Sequence, residues 1–217
     1  MPDGYEVVEV MTRSCKKWYE LSPYYLSDEK GHIMENIWQF SKVYPKVPRS
    51  RQTYSRYNPQ VIWDHPAEVH IEDGKINNKY IAWRRKGYEC KYPIRYPVTF
   101  NPQDRASCLY SLWNGQKYDY IGARKNIYLP LYIELVKKQP KFEKLKKKYK
   151  AGQNLLIIEV DGPKEESLEY YQKKYGVPAN FIENNTMDAT PENLNIMLND
   201  PKHAFGHGYC LAMALME

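Results

Sequence analysis

The sequence predicts an α+β fold: a helix-rich single domain over residues 1–217 with a few short strands. Three stretches carry that expectation. Between Asn126 and Tyr149, NIYLPLYIELVKKQPKFEKLKKKY, the residues Ile127, Leu131, Leu135 and Val136 build one apolar helical face. Directly after it, NLLIIEV (154–160) is a short aliphatic, β-branched run that reads as a buried strand. YEVVEVM (5–11) alternates loosely and reads as a second short strand. A chain of 217 residues suffices for one domain with a substantial core.

The remaining elements follow in order. A short helix is expected through Cys15 to Glu20, broken at Ser22-Pro23, since proline disfavours helical backbone in the residue before it. Asp28 to Gly31 reads as a turn. A helix from Ile33 to about Val43 follows, ended by Pro45 and Pro48. Residues 45–123 form a basic and aromatic, insertion-like segment, the least regular in pattern. Within it Asp73-Gly74 marks a turn between two short strands, Glu68–Ile71 and Asn77–Trp83. Ala106–Trp113 is a short helix or strand closed by the turn Asn114-Gly115. Pro140 divides the amphipathic stretch into two helices, with Phe142, Leu145 and Tyr149 on the second. The strand after Gly152 stops at Asp161-Gly162-Pro163. Lys164–Tyr175 reads as a helix closed by Gly176. Thr190 is a cap with Pro191 at the first helical position, for a helix running to Leu198. Gly206 and Gly208 frame His207 ahead of a small apolar helix, Cys210–Met216.

Composition narrows the function classes. Hydrophobic residues make up 42% and charged residues 27%, the balance of a folded soluble chain. No run of 18 apolar residues occurs and the N-terminus shows no signal-peptide pattern, so an intracellular, cytoplasmic location without a membrane partner is expected. Cys15, Cys90, Cys108 and Cys210 have no metal-type spacing and are expected as reduced thiols. A net charge of +6 suits a nucleotide or nucleic-acid partner, although surplus lysine also serves solubility. The 21 tyrosines against five phenylalanines offer flat faces with hydroxyls for a base or sugar; biased genome composition explains them equally well.

Glu35, Trp38, Gln39 and Lys42 recur at spacings of three and four, so a helix would carry them on one stripe. Such a stripe is either a polar site or a salt-bridged structural helix. Between 49 and 96, arginines and lysines, among them Arg84, Arg85 and Arg95, alternate with aromatic rings. That is the mixture that meets phosphates and stacks on bases, and equally the look of a solvated basic face. His65, Glu68 and His70 do not reproduce a helical zinc motif, so no metal is expected. Neither a GxSxG elbow nor a phosphate-binding loop is present. Glycines flanking His207 either expose amides to an anion or make a tight turn into a core helix. What survives is Glu35 with Gln39 and Lys42, plus Glu159 and Asp161 at the end of the strand. Carboxylates so placed suit cleavage of a glycosidic bond, and a lysine can orient a phosphate or an opened sugar. A structural ion-pair network accounts for the same residues.

Three blocks resemble one family. Leu21, Ser22, Pro23, Tyr24 and Tyr25, then Gly31, then Glu35, Gln39 and Lys42 are similar to the early motif of the NADAR, or YbiA-like, proteins. Asn36 stands where that family carries histidine. Ile127 to Leu145, then Gly152, Leu155, Glu159 and Asp161 are similar to its helix pair and Leu-Glu-Asp stretch, without the usual Trp-Gly. Gly206, Gly208, Leu211, Leu215 and Met216 resemble its glycine-rich last helix, with His207 near the place of the usual asparagine. The likeness covers roughly 21–42 and 124–216. It implies a YbiA-like fold and N-glycosidase chemistry without a cofactor, on riboflavin-pathway intermediates or on ADP-ribosylated guanine in nucleic acid. It further implies Glu35 as the catalytic carboxylate, with Lys42 and Asp161 contacting or orienting the ribose phosphate. Tyr24, Trp38, Gln39, Glu159, Gly206, His207 and Gly208 would contact substrate. The alternative is a non-catalytic nucleic-acid-binding protein that uses Arg84, Arg85 and Arg95.

Overall fold

The computed structural model describes residues 4–10, 17–99 and 107–217. The architecture is α+β, with short strands and helices of mixed length. Two compact units emerge: residues 1–22 together with 124–217, and residues 23–123. Among the described residues no helix is long and apolar enough to cross a membrane.

The chain begins in the first unit with β1 (Tyr5–Glu9), where the alternating pattern placed a strand. Residues 11–16 lie outside the described residues, and with them Cys15 and Lys16, the first two residues of the expected helix. The part that is described forms a 3-10 turn, Tyr19–Leu21. Trp18 is buried beside it and donates its indole N–H to the Val7 carbonyl at 3.2 Å.

The second unit opens with α1 (Met34–Phe40), introduced by Gly31 at φ +80°. The helix ends three residues before the expected Val43. Lys42 and Val43 instead form β2 and pair with Ser111 and Tyr110, and Ser41 accepts from the Leu112 amide at 2.7 Å. Sheet pairing therefore claims the backbone that a longer helix would need. β3 (Lys46–Val47) pairs with β6 (Glu68–Val69), and β4 (Ser50–Thr53) with β5 (Val61–His65). β7 (Ile71–Glu72) and β8 (Lys75–Ile76) form a hairpin across Asp73 and Gly74, both at positive φ, as two-residue hairpin turns require.

The strand expected at Asn77–Trp83 is instead a helix, α2 (Asn78–Tyr88). Its aromatic content imitates a strand, but the Asn77 side chain accepts from the amides of Lys79 and Tyr80 and starts a helix. Tyr80, Trp83 and Gly87 then fall on one buried face against Phe40. A Cβ at Gly87 would lie 2.2 Å from the Phe40 ring, so only glycine admits this packing. β9 (Tyr110–Trp113) and β10 (Gln116–Tyr118) join through Asn114 and Gly115 at positive φ, and α3 (Tyr120–Ala123) closes the unit.

The rest of the first unit runs from a π-turn (Arg124–Tyr128) into α4 (Leu129–Val136) and α5 (Pro140–Lys150). The helix pair expected here is present, with Pro140 opening the second member, where its missing N–H is harmless. β11 (Asn154–Ile158) pairs in parallel with β1, Tyr5 opposite Asn154 and Glu9 opposite Ile158. Expected as buried, Leu155–Ile158 are half-buried, because their sheet has two strands and a cleft runs beside it. A 3-10 turn (Glu165–Ser167) leads into α6 (Leu168–Tyr175), closed by Gly176 at φ +67°. α7 (Pro191–Asn199) is capped by Thr190, which accepts from the Asn193 amide. α8 (His207–Met216) starts three residues earlier than its apolar run and packs on α4. The buried Arg124 guanidinium donates to carbonyls of Met197, Leu198, Asp200 and His203, binding up the end of α7.

Candidate functional site

In the second unit, the polar stripe forms a hydrogen-bonded chain. Gln39 Nε2 donates to Glu35 Oε1 at 2.9 Å, and Lys42 Nζ donates to Gln39 Oε1 at 2.9 Å. Lys42 also lies 4.9 Å from the centre of the Trp38 ring. Lys42 joins the set from β2 rather than from the helix, its long side chain covering the difference. Glu35 is 7% exposed, while Trp38, Gln39 and Lys42 are half-buried. Burial pulls the Lys42 ammonium below the usual lysine range, and the negative charge of Glu35 opposes that shift. The arrangement is a carboxylate and an ammonium bridged by one amide.

Asn36 is fully buried, and its amide is used up structurally. Nδ2 donates to the carbonyls of Cys90 and Tyr92, at 3.1 and 3.0 Å, and Oδ1 accepts from the Ile94 amide at 2.7 Å. An imidazole has no acceptor-plus-two-donor set on one arm, so asparagine at this position ties α1 to the 90–94 segment. Tyr24 is half-buried in the turn before α1, where the Pro23 carbonyl accepts from the Glu35 amide.

Of the three arginines expected to bind nucleic acid, Arg84 is engaged internally, donating to the Tyr88 hydroxyl and the Leu112 carbonyl. Arg85 and Arg95 are exposed. Glu68 Oε1 lies 2.8 Å from Nε2 of both His65 and His70, so this histidine pair is joined by a carboxylate. Among the described residues no group of three His, Cys, Asp or Glu is arranged to hold a metal. Cys90, Cys108 and Cys210 are free thiols; Cys15 lies outside the described residues.

In the first unit, Glu159 is the centre of the candidate residues. Its Oε2 accepts from the Gly208 amide at 2.7 Å and lies 3.4 Å from His207 Nδ1, and its Oε1 accepts from the Asp161 amide at 3.2 Å. The other ring nitrogen of His207 meets the Val10 carbonyl. A Cβ at Gly206 would lie 2.4 Å from the Glu159 carboxyl carbon, and one at Gly208 2.8 Å from its Cβ. The two glycines thus admit the Glu159 side chain, and the anion at the N-terminus of α8 is the chain's own. Asp161 is exposed on the turn that follows.

A cleft of about 880 Å³ opens beside Glu159 and Gly208. One wall is β11, and the other is the loop 180–189, whose Asn184 and Asn185 turn at positive φ between the bridged Glu183 and Thr186. Tyr209 lines this cleft, 5% exposed, with a hydroxyl that has no hydrogen-bond partner. Burial first, and then the charges of Glu159 and Asp161, push that phenol up. Sequence reasoning passed over Tyr209 and the loop: a tyrosine among 21 carries no signal, and Asn-Asn is only a turn cue.

Compared with known proteins, the chain matches no family model, no curated protein and no solved structure. The residues themselves therefore carry the functional reading.

Proposed function

We propose that this protein is an N-glycosidase of YbiA-like architecture, hydrolysing the bond between ribose and a base in a nucleotide-type or ADP-ribosylated guanine substrate. The Glu35–Gln39–Lys42 chain is the observation that carries it. Breaking an N-glycosidic bond leaves positive charge on the sugar while the base departs with the bonding electrons. A largely buried carboxylate, held in orientation by an amide, stabilises that charge or takes a proton from the attacking water. Lys42 balances Glu35 in the resting state and supplies an ammonium for a phosphate oxygen. The resemblance to NADAR proteins supports the same role for Glu35 and assigns Asp161 to the ribose phosphate.

The test is incubation of the full chain with ADP-ribosylated DNA and with small nucleotide glycosides, reading released base or ADP-ribose by mass spectrometry. Glu35→Gln should lower release at least 100-fold at unchanged melting temperature, within the range of a lost acid–base group. Equal release by wild type and Glu35→Gln removes Glu35 from the reaction. Asp161→Asn, assayed separately, tests the assignment of that residue alone.

Exposed Arg85 and Arg95, together with Tyr57 at 89% exposure, support a second reading, a nucleic-acid-binding module. It requires affinity that falls steeply with salt and weakens in an Arg85→Ala, Arg95→Ala double variant, with no base released.

A further inference from the structure

A second set of reactive groups lies in the first unit, apart from Glu159. Ser167 Oγ is 3.1 Å from His203 Nε2, and His203 Nδ1 is 2.6 Å from Asp200 Oδ2. Asp200 is fully buried. Burial alone would raise its carboxyl, but hydrogen bonds led by those of Tyr170 and His203 outweigh it and hold the group well below the usual carboxylate range. An ionised Asp200 keeps the ring proton on Nδ1, which leaves Nε2 bare to accept the serine proton. The Tyr171 hydroxyl also bonds Asp200, at 3.0 Å, and its ring stacks on His203, so the imidazole is held on its face as well as its edge.

Ser167 is the residue before α6, a position where serine normally bonds the helix amides. Here its side chain makes no such cap, and the hydroxyl is turned to the imidazole instead. Ser167 and His203 are half-exposed, whereas Asp200 is sealed. Asp200, the tyrosines and His203 are also tied to one another independently of the serine.

We propose that Ser167 is a nucleophile activated by His203, with Asp200 as the positioning residue, and that this site carries out acyl transfer on small carboxylic esters. Oγ attacks the ester carbonyl carbon and its proton passes to His203 Nε2. The bond to the leaving alcohol breaks, and that oxygen departs with the proton from His203. Water then attacks the acyl-serine by the same route, releasing the carboxylic acid and restoring the hydroxyl. This activity is independent of the N-glycosidase reading and of Glu35.

The experiment treats the full chain with a fluorophosphonate probe, which loses fluoride as it phosphonylates an activated serine, and with p-nitrophenyl acetate. Wild type should be labelled on the peptide holding Ser167 and should release p-nitrophenolate above the rate of buffer. Ser167→Ala should lose both by at least 100-fold at unchanged melting temperature, and Ser167→Cys should recover acetyl transfer. His203→Gln should lose labelling. Should His203→Gln fail to fold, the mapped labelling site and the Ser167→Ala result decide the matter. Absence of labelling in wild type, or labelling and turnover that persist in Ser167→Ala, overturns the proposal.

Discussion

Glu159 Oε2 accepts the Gly208 amide at 2.7 Å, so the positive end of α8 is filled by a carboxylate from the turn after β11. Gly206 and Gly208 exist in service of that contact. Gly206→Ala should destabilise the protein by about 1–3 kcal/mol, the usual range for overpacking. The carboxyl it meets is the far end of a side chain, so Glu159→Ala should relieve part of the loss. Urea denaturation of both single variants and the double variant measures the coupling, expected at about 0.5–3 kcal/mol. Strict additivity would show that Glu159 is not what excludes a Cβ at Gly206.

Gln39 is the bridge between Glu35 and Lys42. Gln39→Ala removes one acceptor from a lysine that burial already disfavours as a cation. A loss of about 1–3 kcal/mol is expected in chemical denaturation, from a charged donor left without that partner. In the Lys42→Met background the same substitution should cost less. An equal loss in both backgrounds would mean that the amide supports the helix rather than the lysine.

Asn36 spends its whole amide on three backbone groups of the 90–94 segment. Asn36→Ala should cost about 3 kcal/mol, as expected for a broken buried network. Asn36→His should restore little of that. Thermal melts of the two variants check this, and a stable Asn36→His protein would contradict it.

The two histidines on Glu68 give stability a pH dependence of definite sign. Burial lowers the pKa of His70, with the Glu68 contact acting against it. Burial raises the Glu68 carboxyl, but the bonds from His65 and His70 outweigh it and leave it lowered. For both groups the native state binds fewer protons than the unfolded chain in acid, so stability rises with pH. His70's contribution is complete above about pH 6.5, its unfolded value, and is lost as pH falls through its native value; Glu68's is lost further into acid. His70→Gln should flatten the first part of that slope in denaturation series at stepped pH. Parallel slopes in wild type and His70→Gln would assign the dependence to other groups.

Local chemistry made much of the secondary structure readable in advance. Asp73-Gly74 and Asn114-Gly115 turn because those residues tolerate positive φ, and Thr190-Pro191 starts a helix because cap and ring both suit that position. Propensity misread Asn77–Trp83, where aromatic residues suggest a strand but Asn77 caps a helix and Phe40 packs against Gly87. It also extended α1 into Val43, since nothing nearby announces that Ser111 and Tyr110 will pair with Lys42 and Val43.

The α+β class, the turns, the Thr190 cap and the close spacing of Glu35, Gln39 and Lys42 are legible in the chain alone. These depend on residues a few positions apart, whose preferences act before any tertiary contact forms. Packing settles that Asn36 is a structural tie, that Glu159 occupies the start of α8, and that Ser167 meets His203. Those contacts join groups 36 to 58 residues apart. Hydrogen bonds over such separations are set by how helices and strands pack, and no local pattern in the chain encodes them.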